Sequence, residues 1–390
     1  MAKKIRVWDG SAWQDVAPSL PYTAIHSAQA SMPATGVDGQ VWLDTDGTLA
    51  GQDFVPLSGG TMTGNLNTPS INAGGIAGQN YFINGGMDFW QRGTTFTGSS
   101  GSVLNLADRW KSYDISSTSR STDVPTGQGF QYSISFSAAA GGSYPRLQYR
   151  MPSEEAAFLA GKIVTFSFWA KNGGGTAMFF SEQQFPTTAN SFDGATTNLG
   201  GSTFATSGNF STSWQKYTWT TTVHPTTATN GMTFHLVRDP SSASTTLITG
   251  LKMELGNQAT PFTRAGGTLA GELAACQRYY YRTNGTTYTP LTVGGYTQST
   301  TDLAWWVPLP VSMRIAPTSL DFSGSGAIAF RSANNGSGYT MGNLTFASSL
   351  STPTLARGGG SISSGTWVAF HSGYLEGNGG PCHLGFSAEL

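Results

Sequence analysis

The side chains able to do acid–base or nucleophilic chemistry are few and scattered in this chain. Asp and Glu total 21 of 390 residues, and the five histidines, His26, His224, His235, His371 and His383, are dispersed. No Gly-x-Ser-x-Gly elbow, His-Glu-x-x-His pair or phosphate-cradling glycine loop is present, so nucleophilic, zinc-hydrolytic and phosphoryl chemistry lack their usual motifs. Glycoside hydrolysis needs two carboxylates on either side of the scissile bond. The adjacent Glu154-Glu155 is better explained as the first turn of a helix, where carboxylates meet the positive end of the dipole, and no long solenoid-type repeat is there to carry such a site. Asp44-Thr45-Asp46-Gly47, with Asp53 beyond it, has part of a calcium-loop spacing. It lacks the third ligand before the glycine and the glutamate at the twelfth position, and reads as turn chemistry. Cys276 and Cys382 are too few for a disulfide framework, have no metal-ligand spacing, and are expected to be free thiols. The expectation is a protein that is not an enzyme, with no catalytic residues, metal or cofactor.

Binding without catalysis is better supplied. Exposed aromatic rings cover the apolar faces of sugars, and neutral amides and hydroxyls replace the water around sugar hydroxyls. Tyr288, Tyr296 and Tyr339 sit in segments rich in Gly, Thr, Ser and Asn, and Trp306 falls on the opposite face of its strand from the apolar row begun by Trp305. These four are the candidate ligand contacts, with Trp110 and Tyr113 as a second, upstream pair. For each, the competing role is packing in a core or between copies of the chain.

The elements that must position them are mostly strands. Charged residues make up 11% against a usual ~25%, and glycine, 51 of 390, is well above its usual ~7%. In 162–171, Val164, Phe166, Phe168 and Ala170 form a wholly apolar face, while Ile163, Thr165, Ser167 and Trp169 face the other way. Trp214, Tyr217 and Trp219, followed by Thr221 and Val223, form a similar strand, and 247–255 supplies a closing one. Regular short strands with Gly and Asn turns predict a jelly-roll sandwich over 80–264, interrupted by a helix at 153–159 with Ser153 as its cap. In the C-terminal part Trp305, Val307, Leu309 and Val311 alternate with Trp306, Pro308 and Pro310. The prolines cannot donate to a ladder, which predicts an edge strand or a bulge, and 283–390 is the size of a second sandwich.

Between the two β parts lies one convincing helix over 268–282, in which Leu269, Leu273, Cys276 and Tyr280 recur at steps of four, three and four. Such a narrow stripe suits a single packing partner. Glu272 complements the helix start, Arg278 and Arg282 its end, and Asn284-Gly285 offers a left-handed stop. At the other end of the chain, 7–13 and 41–47 each run a short strand into an Asp-Gly turn. In 57–79 the isolated Leu57, Met62, Leu66 and Ile71 are too sparse to form a core within one chain. Three copies around an axis could bury them; a flexible Gly-rich linker is the alternative.

Net charge is −1 with scattered Lys and Arg, so there is no footprint for nucleic acid or an anionic membrane, and uncharged partners fit better. The start Met-Ala-Lys-Lys-Ile-Arg has no apolar segment behind it, and no run of about 18 apolar residues occurs. The expectation is a chain neither exported by a signal peptide nor inserted in a membrane.

Glu272-Leu273-Ala274-Ala275-Cys276-Gln277-Arg278-Tyr279-Tyr280 resembles a signature found in tail fibres of tailed bacteriophages. Leu57-Ser58-Gly59-Gly60-Thr61-Met62-Thr63-Gly64-Asn65-Leu66 is similar to a repeat of phage fibre stalks. The segments 80–93, 311–317 and 386–390 resemble the same family, as do the two N-terminal repeats; the long loops stay uncovered. The resemblance implies an all-β chain with a virion attachment region at 1–56, a short trimeric stalk at 57–79, a jelly-roll, carbohydrate-module-like sandwich at 80–264, a linking helix at 265–282 and a receptor-binding β-sandwich head at 283–390. It further implies a homotrimer held by virion tail or baseplate proteins, assembled in the host cytoplasm and adhering at the cell surface to a host polysaccharide. Threefold symmetry would bury Leu57, Met62, Leu66 and Ile71 together with Leu269, Leu273, Cys276 and Tyr280. Two other readings are a tail-spike depolymerase and a purely structural baseplate or tail-tip component.

Overall fold

The apolar row Val164, Phe166, Phe168 and Ala170 is buried, as its alternation requires. The computed structural model describes residues 5–8, 11–16, 27–29, 41–44, 78–99, 101–138, 145–173, 178–193, 196–197, 204–238, 244–334, 336–363 and 368–390. The row belongs to the strand Ile163–Asn172, which lies in a six-stranded antiparallel sheet. The order is Gln215–Thr222, Ile163–Asn172, Ser244–Leu255, Ser133–Ala138, Ser117–Ser121, Thr95–Thr97. Facing it is a sheet running Thr196–Thr197, Met178–Pro186, Met232–Arg238, Arg146–Met151, Trp110–Tyr113, Val103–Asn105, with Phe204–Asn209 also on Met178–Pro186. Rings meet between the layers: Phe166 stacks on Phe234 at 4.9 Å, and Phe82 fills the space beside both. The helix Ser153–Leu159 is present, but Pro152 is its cap residue. Ser153 is already helical, and its hydroxyl is engaged by Glu154 and Asn190.

The chain divides into two compact units, Met1–Asn72 and Ala73–Leu390. In the first, the two similar N-terminal segments are neighbours in one sheet. Ile5–Trp8 pairs antiparallel with Trp13–Val16 and with Val41–Asp44, and Ser27–Gln29 joins Val41–Asp44 in parallel. Leu57, Met62, Leu66 and Ile71 lie outside the described residues, as do Asp46 and Asp53.

The linking helix is shorter than its sequence suggests. It spans Leu269–Gln277, with the Thr268 hydroxyl accepting from Gly271 N–H, and Tyr280–Gly285 is a strand paired with Cys382–Ser387. Three consecutive tyrosines favour extended backbone, and the strand partner from the far end of the chain decides the matter. Asn284-Gly285 is therefore ladder, not helix stop. The buried face of the helix is Glu272 and Cys276, while Leu269 is 49% exposed. Cys276 and Tyr280 are fully buried within one chain, which removes them as contacts between copies. Tyr280 lies under the Arg92 guanidinium at 3.5 Å and donates its hydroxyl to Asp321 at 2.7 Å.

The C-terminal part closes into a barrel instead of a two-sheet sandwich. Its order is Gly294–Thr297, Asp302–Pro308, Leu355–Ile362, Gly338–Phe346, Ile328–Ser332, Ser372–Gly377 and back to the first. The three-stranded sheet Tyr280–Gly285, Cys382–Ser387, Ser319–Phe322 accompanies it. Closure around so few strands leaves room for large rings only where the neighbouring strand has no side chain beside them. A Cβ at Gly358 would overlap the Trp305 ring, and one at Gly373 would overlap Phe330. The Trp305 strand is thus no edge strand. Pro308 simply ends its ladder, opposite Leu355.

The four family-like segments of the second unit meet at one joint between sandwich and barrel. Asn84 N–H donates to the Glu272 carboxylate, Gln91 Nε2 to the Tyr280 carbonyl at 2.8 Å, and Arg314 N–H to the Arg278 carbonyl at 2.8 Å. Glu389 is paired with Arg109 and Arg92. Among the described residues no helix is long and apolar enough to cross a membrane.

Candidate ligand-binding surface

Every second residue of a barrel strand points outward. Trp305 fills the interior and donates its indole N–H to the Gly359 carbonyl at 2.9 Å; Trp306 is therefore on the outer wall. On the adjacent strand Tyr296 pairs with Ala304 and Gly294 with Trp306, which makes Tyr296 and Trp306 diagonal neighbours on the same face. Their ring centroids are 6.4 Å apart at 50°. A Cβ at Gly294 would come within 2.6 Å of the indole, so the glycine lets Trp306 lie across the neighbouring strand. Around the two rings stand Arg357, opposite Trp306, Ser372, opposite Tyr296, and Gln298, whose amide reaches the Tyr296 hydroxyl at 3.5 Å. The Asp302 carboxylate, on the Trp306 strand, accepts from the hydroxyls of Ser299 and Thr301 at 2.8 and 3.1 Å.

Tyr288, on a separate loop, is 69% exposed with a left-handed φ of 64°, and its ring lies 5.2 Å from the Arg331 guanidinium. Tyr339 pairs with Phe330 and packs half-buried against the barrel interior, so it does not reach the outer wall. In the sandwich Trp110 is core: it is fully buried against Phe82 and Tyr149, its indole N–H donating to the Asn84 carbonyl. Tyr113 carries the Arg146 guanidinium over its ring at 4.7 Å.

One exposed ring escapes sequence reasoning. Phe370 is 80% exposed and holds a φ of 64°. Buried Thr297 pins its loop: Phe370 N–H donates to the Thr297 carbonyl at 2.7 Å, the Thr297 hydroxyl to the Val368 carbonyl at 2.7 Å, and Thr297 N–H to the His371 carbonyl at 2.9 Å. Asn334 and His371 meet beside it at 3.1 Å; the amide donates and Nε2 accepts. Nothing in the residue types marks this loop, because its geometry depends on a backbone conformation that phenylalanine rarely adopts. Among the described residues no three His, Cys, Asp or Glu side chains form a group that could hold a metal ion.

No family model and no curated protein matches the chain. Solved structures do. It is similar to the enzymatically active domain of bacteriophage CBA120 tailspike protein 4, with 17% identity over 45% of this chain and 21% of that one and a TM-score of 0.29. It is also similar to the CBM22-1 xylan-binding domain of Paenibacillus barcinonensis Xyn10C, with 10% identity over 42% of this chain and all of that one, TM-score 0.28. A third is TmCBM61 in complex with β-1,4-galactotriose, with 11% identity over 46% of this chain and 99% of that one, TM-score 0.26. The chain thus spans about a fifth of the tailspike chain.

Proposed function

We propose that this chain is a non-catalytic adhesin, the homotrimeric tail fibre or receptor-binding protein of a tailed bacteriophage, whose barrel head binds a host surface glycan. The observation that carries the binding reading is the Tyr296–Trp306 pair, two rings from different strands placed side by side on the outer wall with a glycine cleared beneath the indole. Apolar ring faces beside hydroxyl and amide groups suit a pyranose. The phage assignment rests on the sequence resemblance, and attachment through residues 1–56 and action at the host surface follow from it. Binding without cleavage is supported by the Asp302 carboxylate on the Trp306 strand, which is engaged by the Ser299 and Thr301 hydroxyls.

A glycan array with the full-length protein tests this reading. Wild type is expected to bind a small set of surface polysaccharides without releasing reducing ends, and Trp306→Ala to lower that signal at least tenfold with the melting curve unchanged. Equal array binding by the two proteins would remove the head as the adhesive site, and released reducing ends would replace adhesion by hydrolysis.

A further inference from the structure

A second hollow lies on the sandwich, on the outward face of the six-stranded sheet. Ser167 and Trp169 point away from the core there, pairing with Thr218 and Lys216 on one side and with Lys252 and Thr249 on the other. Two chain segments rise over this face. Residues 256–262 fold back across the buried Lys252–Glu254 pair, fixed by Lys252 Nζ donating to the Thr260 hydroxyl at 2.6 Å and the Pro261 carbonyl at 2.8 Å. From the opposite side Phe130 meets Phe262 edge-on at 5.0 Å. The Phe130 ring rests on Gly250, which has a φ of 65° and where a Cβ would come within 2.5 Å of the ring. The aromatic wall therefore depends on that glycine.

Between these walls is a cavity of about 180 Å³ lined by Gln128, Phe130, Ser167, Trp169, Lys216 and Phe262 among others. It is smaller than the roughly 300–1,000 Å³ of pockets for drug-sized ligands and suits one sugar ring. Trp169, Phe130 and Phe262 contribute rings to a lining that is otherwise polar, with the Ser167 hydroxyl and the Gln128 amide offering neutral hydrogen bonds. Lys216 is the one charged residue of the lining; its ammonium makes a long 3.4 Å contact with the Thr260 carbonyl. The neighbouring Lys171 is already neutralised by Asp123 at 2.6 Å.

We propose that this hollow is a second saccharide subsite that takes a single pyranose ring bearing a carboxylate. The assignment rests on the glycan-binding reading of the chain, yet it uses neither Tyr296 nor Trp306. The cation at the mouth sets the preference for an acidic ring, and Trp169 supplies the stacking face.

Ligand-observed NMR titration of the full-length protein with D-glucuronate and D-glucose is the test. Glucuronate is expected to bind in the millimolar range and glucose at least fivefold more weakly. Lys216→Ala, at an exposed position, should bring glucuronate down to the glucose level. Trp169→Ala should remove the preference for glucuronate over glucose while the thermal melt is retained, and Trp306→Ala should leave that preference unchanged. Glucuronate binding that is absent in wild type, or equal in wild type, Lys216→Ala and Trp169→Ala, overturns the proposal and leaves the head reading intact. Conversely, a Trp306→Ala protein that binds the array like wild type while this titration behaves as expected removes the head reading and supports the hollow.

Discussion

At the scale of single residues, two neighbouring tryptophans have opposite fates and the sequence alternation separates them: Trp305 packs in the barrel and Trp306 lies on its wall. Phe370 follows a different logic. A bulky side chain at φ 64° is strained, at a cost on the order of 1 kcal/mol, which glycine would not incur. With the ring 80% exposed, little burial offsets that strain. Phe370→Gly is therefore expected to stabilise the protein by roughly 0.5–1 kcal/mol, read as a higher urea midpoint at unchanged slope. A lower midpoint would mean that the ring makes stabilising contacts after all. The four backbone and hydroxyl bonds of Thr297 and its neighbours keep the strained loop in place.

At the scale of elements, the joint between sandwich and barrel is electrostatic and buried. Burial pushes the Asp108 carboxyl up from 3.8 to about 6, opposed by hydrogen bonds from Gln91 and the charge of Arg92. A raised folded value means that the native state holds the proton between pH ~4 and ~6 when the unfolded chain has lost it. This group's contribution is therefore present below pH 4 and is lost as pH rises to about 6, by up to roughly 3 kcal/mol. Asp108→Asn should flatten the stability profile in that window relative to wild type; parallel profiles would rule the group out as its source. Glu389 behaves in the opposite sense. Burial raises its carboxyl, but Arg109, Arg92 and Lys111 together outweigh that and hold it below the usual value, so its contribution is lost only as pH falls through that depressed value. Removing it strands buried cations, and Glu389→Ala is expected to cost about 3–5 kcal/mol in chemical denaturation. A loss under 1 kcal/mol would show the joint to be held by packing alone. The sandwich strands and the core row from Val164 to Ala170 could be read directly, because period-two alternation is local. The helix end at Gln277 and the closure of the barrel could not: each depends on a partner strand about a hundred residues away. The family-like segments are legible as motifs, yet their residues serve this joint, so they carry architecture and say little about which rings face a ligand. Trp110 illustrates the cost, since a tryptophan in a short polar-looking strand can equally be core.

At the scale of the whole molecule, the described residues of the unit Ala73–Leu390 form two hydrophobic cores within one chain. The remaining trimer candidates are Leu57, Met62, Leu66 and Ile71, whose thin spacing offers no core to a solitary chain, and the partly exposed Leu269 and Leu273. Sedimentation equilibrium of the full-length protein at micromolar concentration is expected to give three chain masses. Replacing Leu57, Met62 and Leu66 together by serine should reduce it to one, with the main thermal transition retained because the sandwich and barrel cores are untouched. The same variant should keep its per-site sugar affinity and lose most of its adhesion to cells, since linking several weak sites raises apparent affinity by about 10²–10⁴ without any new contact. A wild-type monomer, or a serine variant that adheres as well as wild type, would leave millimolar sites without the multiplication that adhesion requires.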